Sequence, residues 1–177
     1  MITINFVFWM FVIFFGIIGI FRGWAKELLV TFSVVVALTL TGLLYQYVPF
    51  VSALDPHSTT LFWINVTILL VLVYFGYQSI SFRRVSEKAT RGEKVGDLIL
   101  SFILGAFNAY LVFGSLWFYM AQAGYPYSDM ITAPQPGTPQ GDAAIQLMNY
   151  LPPNLVGVPT IYFVVIIAFI FVLVVYV

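Results

Sequence analysis

Long, almost unbroken apolar runs alternate with short polar connections along this chain, and the runs have the length that a bilayer demands. A helix crossing the hydrocarbon layer needs about 20 mostly apolar residues at a rise of ~1.5 Å each. Five stretches satisfy this: residues 3–21, 28–47, 60–80, 98–121 and 159–177. A membrane barrel would alternate apolar and polar positions within each strand, and these runs do not. The pattern therefore predicts an all-α integral membrane protein, a bundle of about five transmembrane helices. The first run has no Lys or Arg ahead of it and no small-residue cleavage site behind it, so it reads as a retained span rather than a signal peptide. The last run is still apolar at Val177, from which we expect further residues beyond it.

The connections sort by charge. Arg22 and Lys26 lie between the first two runs, and Arg83, Arg84, Lys88, Arg91 and Lys94 between the third and fourth. These two connections share one side of the membrane and hold all seven basic residues; the opposite connections carry Asp55, Asp129 and Asp142. Basic loops stay in the cytoplasm, so the N-terminus is expected outside. Glu87 and Glu93 are interleaved with the basic residues of the longer loop. It reads as a solvated, topology-setting loop, with a docking site for a cytoplasmic partner or anionic lipid as the rival.

Residues 122–158 form an outer segment in which Pro126, Pro134, Pro136, Pro139, Pro152 and Pro153 deny regular structure over most of the length. One short helix is expected there, capped by Asp142 and carrying Ile145, Met148 and Leu151 on one face, lying on the membrane surface. The organisation that follows is a four-helix region at 1–121, a Pro-rich extracytoplasmic segment at 122–158 and a fifth span at 159–177.

Composition narrows the function. Apolar residues are 62% and charged residues 8% of the 177, against about 25% charged in a soluble domain. Net charge is zero, which leaves no basic surplus for nucleic acid. There is no cysteine, so disulfides, thiolate metal sites and a cysteine nucleophile are excluded. The single histidine, His57, sits in the turn Asp55-Pro56-His57, where neither a metal ligand set nor a catalytic partner is evident. A hydrated turn residue is the plain reading, and an axial ligand to a pigment or haem the rival. The spans as bounded above hold no ionisable side chain, which argues against a proton-coupled carrier. No enzyme and no cofactor is expected. The expected partners are the lipid bilayer and either another membrane protein or further copies of this chain.

Packing is written in small and polar residues. Ser33, Ala37 and Thr41 recur every fourth position in the second run, Ser101, Gly105 and Ala109 do so in the fourth, and Gly16, Gly19 and Gly23 form a similar stripe in the first. Such stripes let backbones approach closely where the hydrophobic effect cannot drive association. The face carrying Ser33, Ala37 and Thr41 is the first candidate to meet the Gly105 stripe. Asn65 and Asn108 should turn into the bundle as hydrogen-bonding glue. Trp24 at one boundary, and Tyr45, Tyr47, Trp63, Trp117 and Tyr119 at the other, read as aromatic belts. Asp97 directly precedes the fourth run, where its carboxylate is expected to cap the amides of Ile99 and Leu100.

Two segments carry a family likeness. Gly19-Ile20-Phe21-Arg22-Gly23-Trp24-Ala25-Lys26-Glu27-Leu28 resembles the G-x-x-R-G-x-x-x-E signature that joins the first two helices of the colicin V production protein (CvpA) family. The run from Gly96-Asp97 through Gly105-Ala106-Phe107 resembles the D-R-x-L-G-x-x-x-G-x-x-R-G stretch that opens that family's fourth helix. The chain departs at Leu98, where the family has Arg, at Ser101, where it has Gly, and at Asn108-Ala109, where it has Arg-Gly. The outer segment and fifth run also extend past the family pattern. The likeness covers roughly residues 1–120 and implies an inner-membrane protein associated with toxin production, secretion and envelope homeostasis. Competing readings are an accessory subunit of a larger, for instance energy-transducing, membrane complex and, more remotely, a channel or carrier.

Overall fold

The computed structural model describes residues 4–78, 94–128, 131–157 and 159–176, and among them it is all-helical with no strand. In chain order the helices are α1 (Ile4–Arg22), α2 (Trp24–Tyr47), α3 (Pro49–Ser52), α4 (Thr59–Gln78), α5 (Lys94–Gln122), α6 (Pro139–Met148), α7 (Pro152–Leu155) and α8 (Thr160–Tyr176). Four of them, α1, α2, α4 and α5, are long and apolar enough to cross a membrane, the make-up of a multi-pass membrane protein. The last, α8, is a shorter apolar helix. The long basic connection, including Arg83, Arg84, Glu87 and Glu93, lies outside the described residues, as does Asp129.

Two helices start earlier than the apolar pattern predicts. Only Gly23 separates α1 from α2, with φ 87° and ψ 148°, a conformation that glycine alone adopts cheaply. The chain re-enters a helix at once, and Glu27 N–H donates to the Gly23 carbonyl at 3.3 Å. Lys26 and Glu27 thus belong to the first turn of α2 instead of a loop. Likewise α5 begins at Lys94, which places Asp97 inside its first turn.

The longest helix, α5, organises the bundle: α1 packs along one side of it and α2 along another, while α4 and α8 lie against α2. The contact between α1 and α5 is the closest. A Cβ placed on Gly105 would fall 3.0 Å from the Gly19 Cα and 2.5 Å from the Phe15 carbonyl oxygen. One placed on Gly19 would strike the Ser101 carbonyl. The partner of the Gly105 stripe is therefore the glycine stripe of α1, not the predicted face of α2. That face is divided among other neighbours. Ser33 lies under Gly76 of α4, Ala37 is fully buried in the core with Val30, Val34 and Leu69, and the Thr41 hydroxyl is 3.4 Å from that of Tyr119.

The outer segment is folded onto the bundle. The N-cap of α6 is Thr138, whose Oγ1 accepts from Gly141 N–H at 3.1 Å, with Pro139 at the first helical position. This corrects the expected Asp142 cap. Proline has no N–H to be capped and a φ suited to that position, so the start moves back to Thr138, and Asp142 Oδ1 instead accepts from Gly137 N–H at 3.0 Å. Nor does α6 simply rest on the surface. Ala144, Leu147 and Met148 pack with Phe8, Ala109, Trp117 and Leu151 in a second core cluster. Pro152 sits over Gly114, where a Cβ would come within 2.7 Å of its ring. Gly114 is about 12 Å along α5 from Gln122 at ~1.5 Å per residue, so the segment dips well below the helix end. Trp117 and Tyr119, read as belt residues, are consequently buried, whereas Tyr45, Tyr47 and Trp63 remain exposed.

Candidate functional site

Where α1 ends and α2 begins, a buried polar cluster joins three helices and touches a fourth. Arg22, the last residue of α1, is turned back by the Gly23 break, and its guanidinium donates to Glu27 Oε1 at 2.8 Å. The Glu27 side chain is only 1% exposed. Its other oxygen, Oε2, accepts from Asn108 Nδ2 at 2.8 Å, and the same amide nitrogen also donates to the Glu27 carbonyl at 2.8 Å. The remaining amide atom, Asn108 Oδ1, accepts from the Thr31 hydroxyl at 2.6 Å. This is the amide orientation that satisfies every atom: two protons face two acceptors, and one oxygen faces a hydroxyl. From α4, the Tyr77 ring lies 4.2 Å beneath the Arg22 guanidinium, and the Tyr77 carbonyl accepts from it at 3.3 Å.

The chemistry of the cluster follows from its dryness. A carboxylate buried among apolar helices is costly unless it is paired and its lone pairs are filled. Here Arg22 supplies the charge and Asn108 the second hydrogen bond. Arg22 is itself one-fifth exposed, so its end of the pair reaches the boundary. The Thr31 hydroxyl is committed to Asn108 and lies near the Glu27 carbonyl, and both Glu27 carboxylate oxygens already accept hydrogen bonds. Among the described residues no group of three or more His, Asp or Glu could hold a metal ion. What the arrangement does is clamp α1, α2, α4 and α5 at one end with directional bonds.

Several residues singled out by sequence meet here. Arg22, Gly23, Glu27 and Asn108 form or shape the cluster, and Gly19 and Gly105 seat α1 on α5 beside it. Ser101 is buried, with its hydroxyl donating to the Asp97 carbonyl at 2.6 Å. Asp97 itself does not join the cluster. It lies about 16 Å from Asn108 along the same helix at ~1.5 Å per residue, and its carboxylate makes no hydrogen bond to the Ile99 or Leu100 amides. With α5 starting at Lys94, those amides already have carbonyl partners within the helix, so the expected cap has no donors to serve. Asn65 is also apart, half-buried and lining a cavity at the opposite end of the bundle. Ala109 packs in the second core cluster. His57 is exposed: its backbone N–H bonds Asp55 Oδ1 at 2.9 Å, and its Nδ1 donates to the Gln122 carbonyl at 2.6 Å, tying the α3–α4 turn to the end of α5.

Thr31 and Tyr77 were not identified from sequence, and Glu27 was counted outside the spans. The signal for Glu27 was present. A glycine that ends one helix at Gly23, followed after Trp24 by helix-forming Ala25, Lys26 and Glu27, allows α2 to start before its apolar run. No family model, curated protein or solved structure matches this chain.

Proposed function

We propose that this chain is a non-enzymatic, CvpA-like protein of the bacterial cytoplasmic membrane that acts through helix and loop contacts in toxin production, secretion or envelope maintenance. In this reading α8 is a fifth span, the N-terminus is outside, and the Arg22 end of the bundle faces the cytoplasm. One observation carries the proposal. The residues of the resembling signature, Gly19, Arg22, Gly23 and Glu27, converge with Gly105 and Asn108 on a single buried joint. The joint holds α1, α2, α4 and α5 together through directional bonds.

A second reading, an accessory structural subunit of a larger membrane complex, is favoured by α8. This helix packs mainly on α2, and Phe163, Ile166, Ile167, Phe169 and Ile170 are exposed. Gentle solubilisation of the native membrane, followed by identification of co-migrating proteins, separates the two. A lone chain or a homo-oligomer supports the first, and a fixed stoichiometric set of other subunits supports the second. Tag-accessibility mapping tests the orientation: a tag beside Arg84 should be reached only from the cytoplasm, and labelling from outside would overturn the sidedness.

A further inference from the structure

At the end of the bundle away from Arg22, a cavity of about 740 Å³ opens between α2, α4, α5 and the chain leading into α8. This is within the ~300–1,000 Å³ range of small-molecule sites. Its lining has a definite chemistry. Thr41, Tyr45, Gln46, Asn65, Tyr119 and Gln122 contribute neutral hydrogen-bonding groups, and the remainder is apolar, including Leu38, one turn further in along α2. Among the described residues, no charged side chain lines it.

Asn65 makes this more than a packing gap. A half-buried amide on a membrane helix ordinarily finds a partner, as Asn108 does. The Asn65 amide has no hydrogen bond among the described residues, although Thr41 and Tyr119 line the same cavity and their hydroxyls are 3.4 Å from one another. The cavity therefore presents an unfilled donor and acceptor beside apolar surface.

We infer that this cavity is a binding site for an uncharged amphiphile of the bilayer, with an apolar chain and a head bearing hydroxyl or carbonyl groups. The head would bond the Asn65 amide and the neighbouring hydroxyls while the chain lies against the Leu38 side. An anionic or zwitterionic head is disfavoured, because nothing in the lining would compensate its charge after desolvation.

The chain's lack of cysteine permits a direct test. Gly42 lines the cavity, and a Cβ there meets nothing within 4 Å. A Gly42→Cys variant of the full chain, reconstituted in vesicles, thus carries one thiol facing the cavity. Dioctanoylglycerol should slow its reaction with N-ethylmaleimide by about fivefold or more, whereas dioctanoyl phosphatidic acid, with the same chains and a charged head, should change it by less than about twofold. Adding Asn65→Leu should remove the protection. If that double variant fails to give a monodisperse protein, Thr41→Val takes its place. No protection by dioctanoylglycerol, equal protection by both lipids, protection that survives loss of the polar group, or a thiol that never reacts would each overturn the site.

Discussion

Gly19 and Gly105 face one another across α1 and α5 so closely that a Cβ on either would lie 3.0 Å from the other's Cα. In lipid no hydrophobic force presses helices together, and van der Waals contact between backbones takes its place. The same approach brings α5 near enough for Asn108 to reach Glu27. The glycine contact and the polar joint are therefore one structural unit.

Gly105→Leu should separate α1 from α5. Overpacking of this kind costs about 1–3 kcal/mol, occasionally more, and here the obstacle is backbone on both sides. Thermal unfolding in detergent should show a clear loss of stability, with Gly42→Leu close to wild type because its surroundings are open. Equal stability of the two variants would refute the contact.

Gly23→Ala tests the turn that feeds the joint. Nothing crowds a Cβ at this position, so the effect comes from φ 87° alone. Backbone strain of this type costs about 1–3 kcal/mol. A variant as stable as wild type would mean that α1 and α2 are joined by a different conformation.

The two membrane asparagines should behave differently. Asn108→Leu strips Glu27 Oε2, the Glu27 carbonyl and Thr31 of a partner in a dry site, at a cost of about 1–3 kcal/mol for the groups left unsatisfied. Asn65→Leu breaks no hydrogen bond and should leave unfolding within about 0.5 kcal/mol of wild type. Unfolding curves of both variants check the contrast, which a larger loss at Asn65 would reverse.

Much of this was legible from the apolar pattern, because span length is a local property. The helical class and the four long helices could be read in that way. Partner choice could not be. A stripe such as Ser101-Gly105-Ala109 announces close approach, but Ser33-Ala37-Thr41 and Gly16-Gly19 are equally small, and only the assembled bundle selects between them. Helix starts failed for a related reason. Lys26, Glu27 and Asp97 are polar, so hydropathy assigned them to loops or caps, whereas α2 and α5 continue through them. Asn108 could be expected to need a partner, yet the identity of that partner depended on Glu27 being inside a helix.

Outside the spans, Tyr125 anchors the outer segment, at φ 56°, by accepting from Trp117 Nε1 at 3.2 Å and donating towards Met148 Sδ at 3.8 Å. Burial raises its pKa above the usual 10.0, with the Trp117 hydrogen bond opposing in part. The folded state then holds this proton more tightly than the unfolded one. The associated stability is fully present below pH 10 and is lost as pH rises through the folded-state value. Alkaline unfolding should accordingly be less steep in Tyr125→Phe than in wild type; identical pH profiles would contradict the anchor.

The Arg22–Glu27 pair carries the account, and a double-mutant cycle on thermal or denaturant unfolding measures it most directly. Glu27→Leu alone leaves a largely buried guanidinium over Tyr77 without its counter-charge, and breaking such a pair costs about 3–5 kcal/mol when fully buried, less here because Arg22 is partly exposed. Arg22→Met alone leaves the Glu27 carboxylate in the dry interior. The double variant removes both charges and should recover stability relative to Glu27→Leu, with a coupling above about 1 kcal/mol. Additive losses, with the double variant less stable than either single, would show that the two side chains act independently and that the joint does not hold the bundle together.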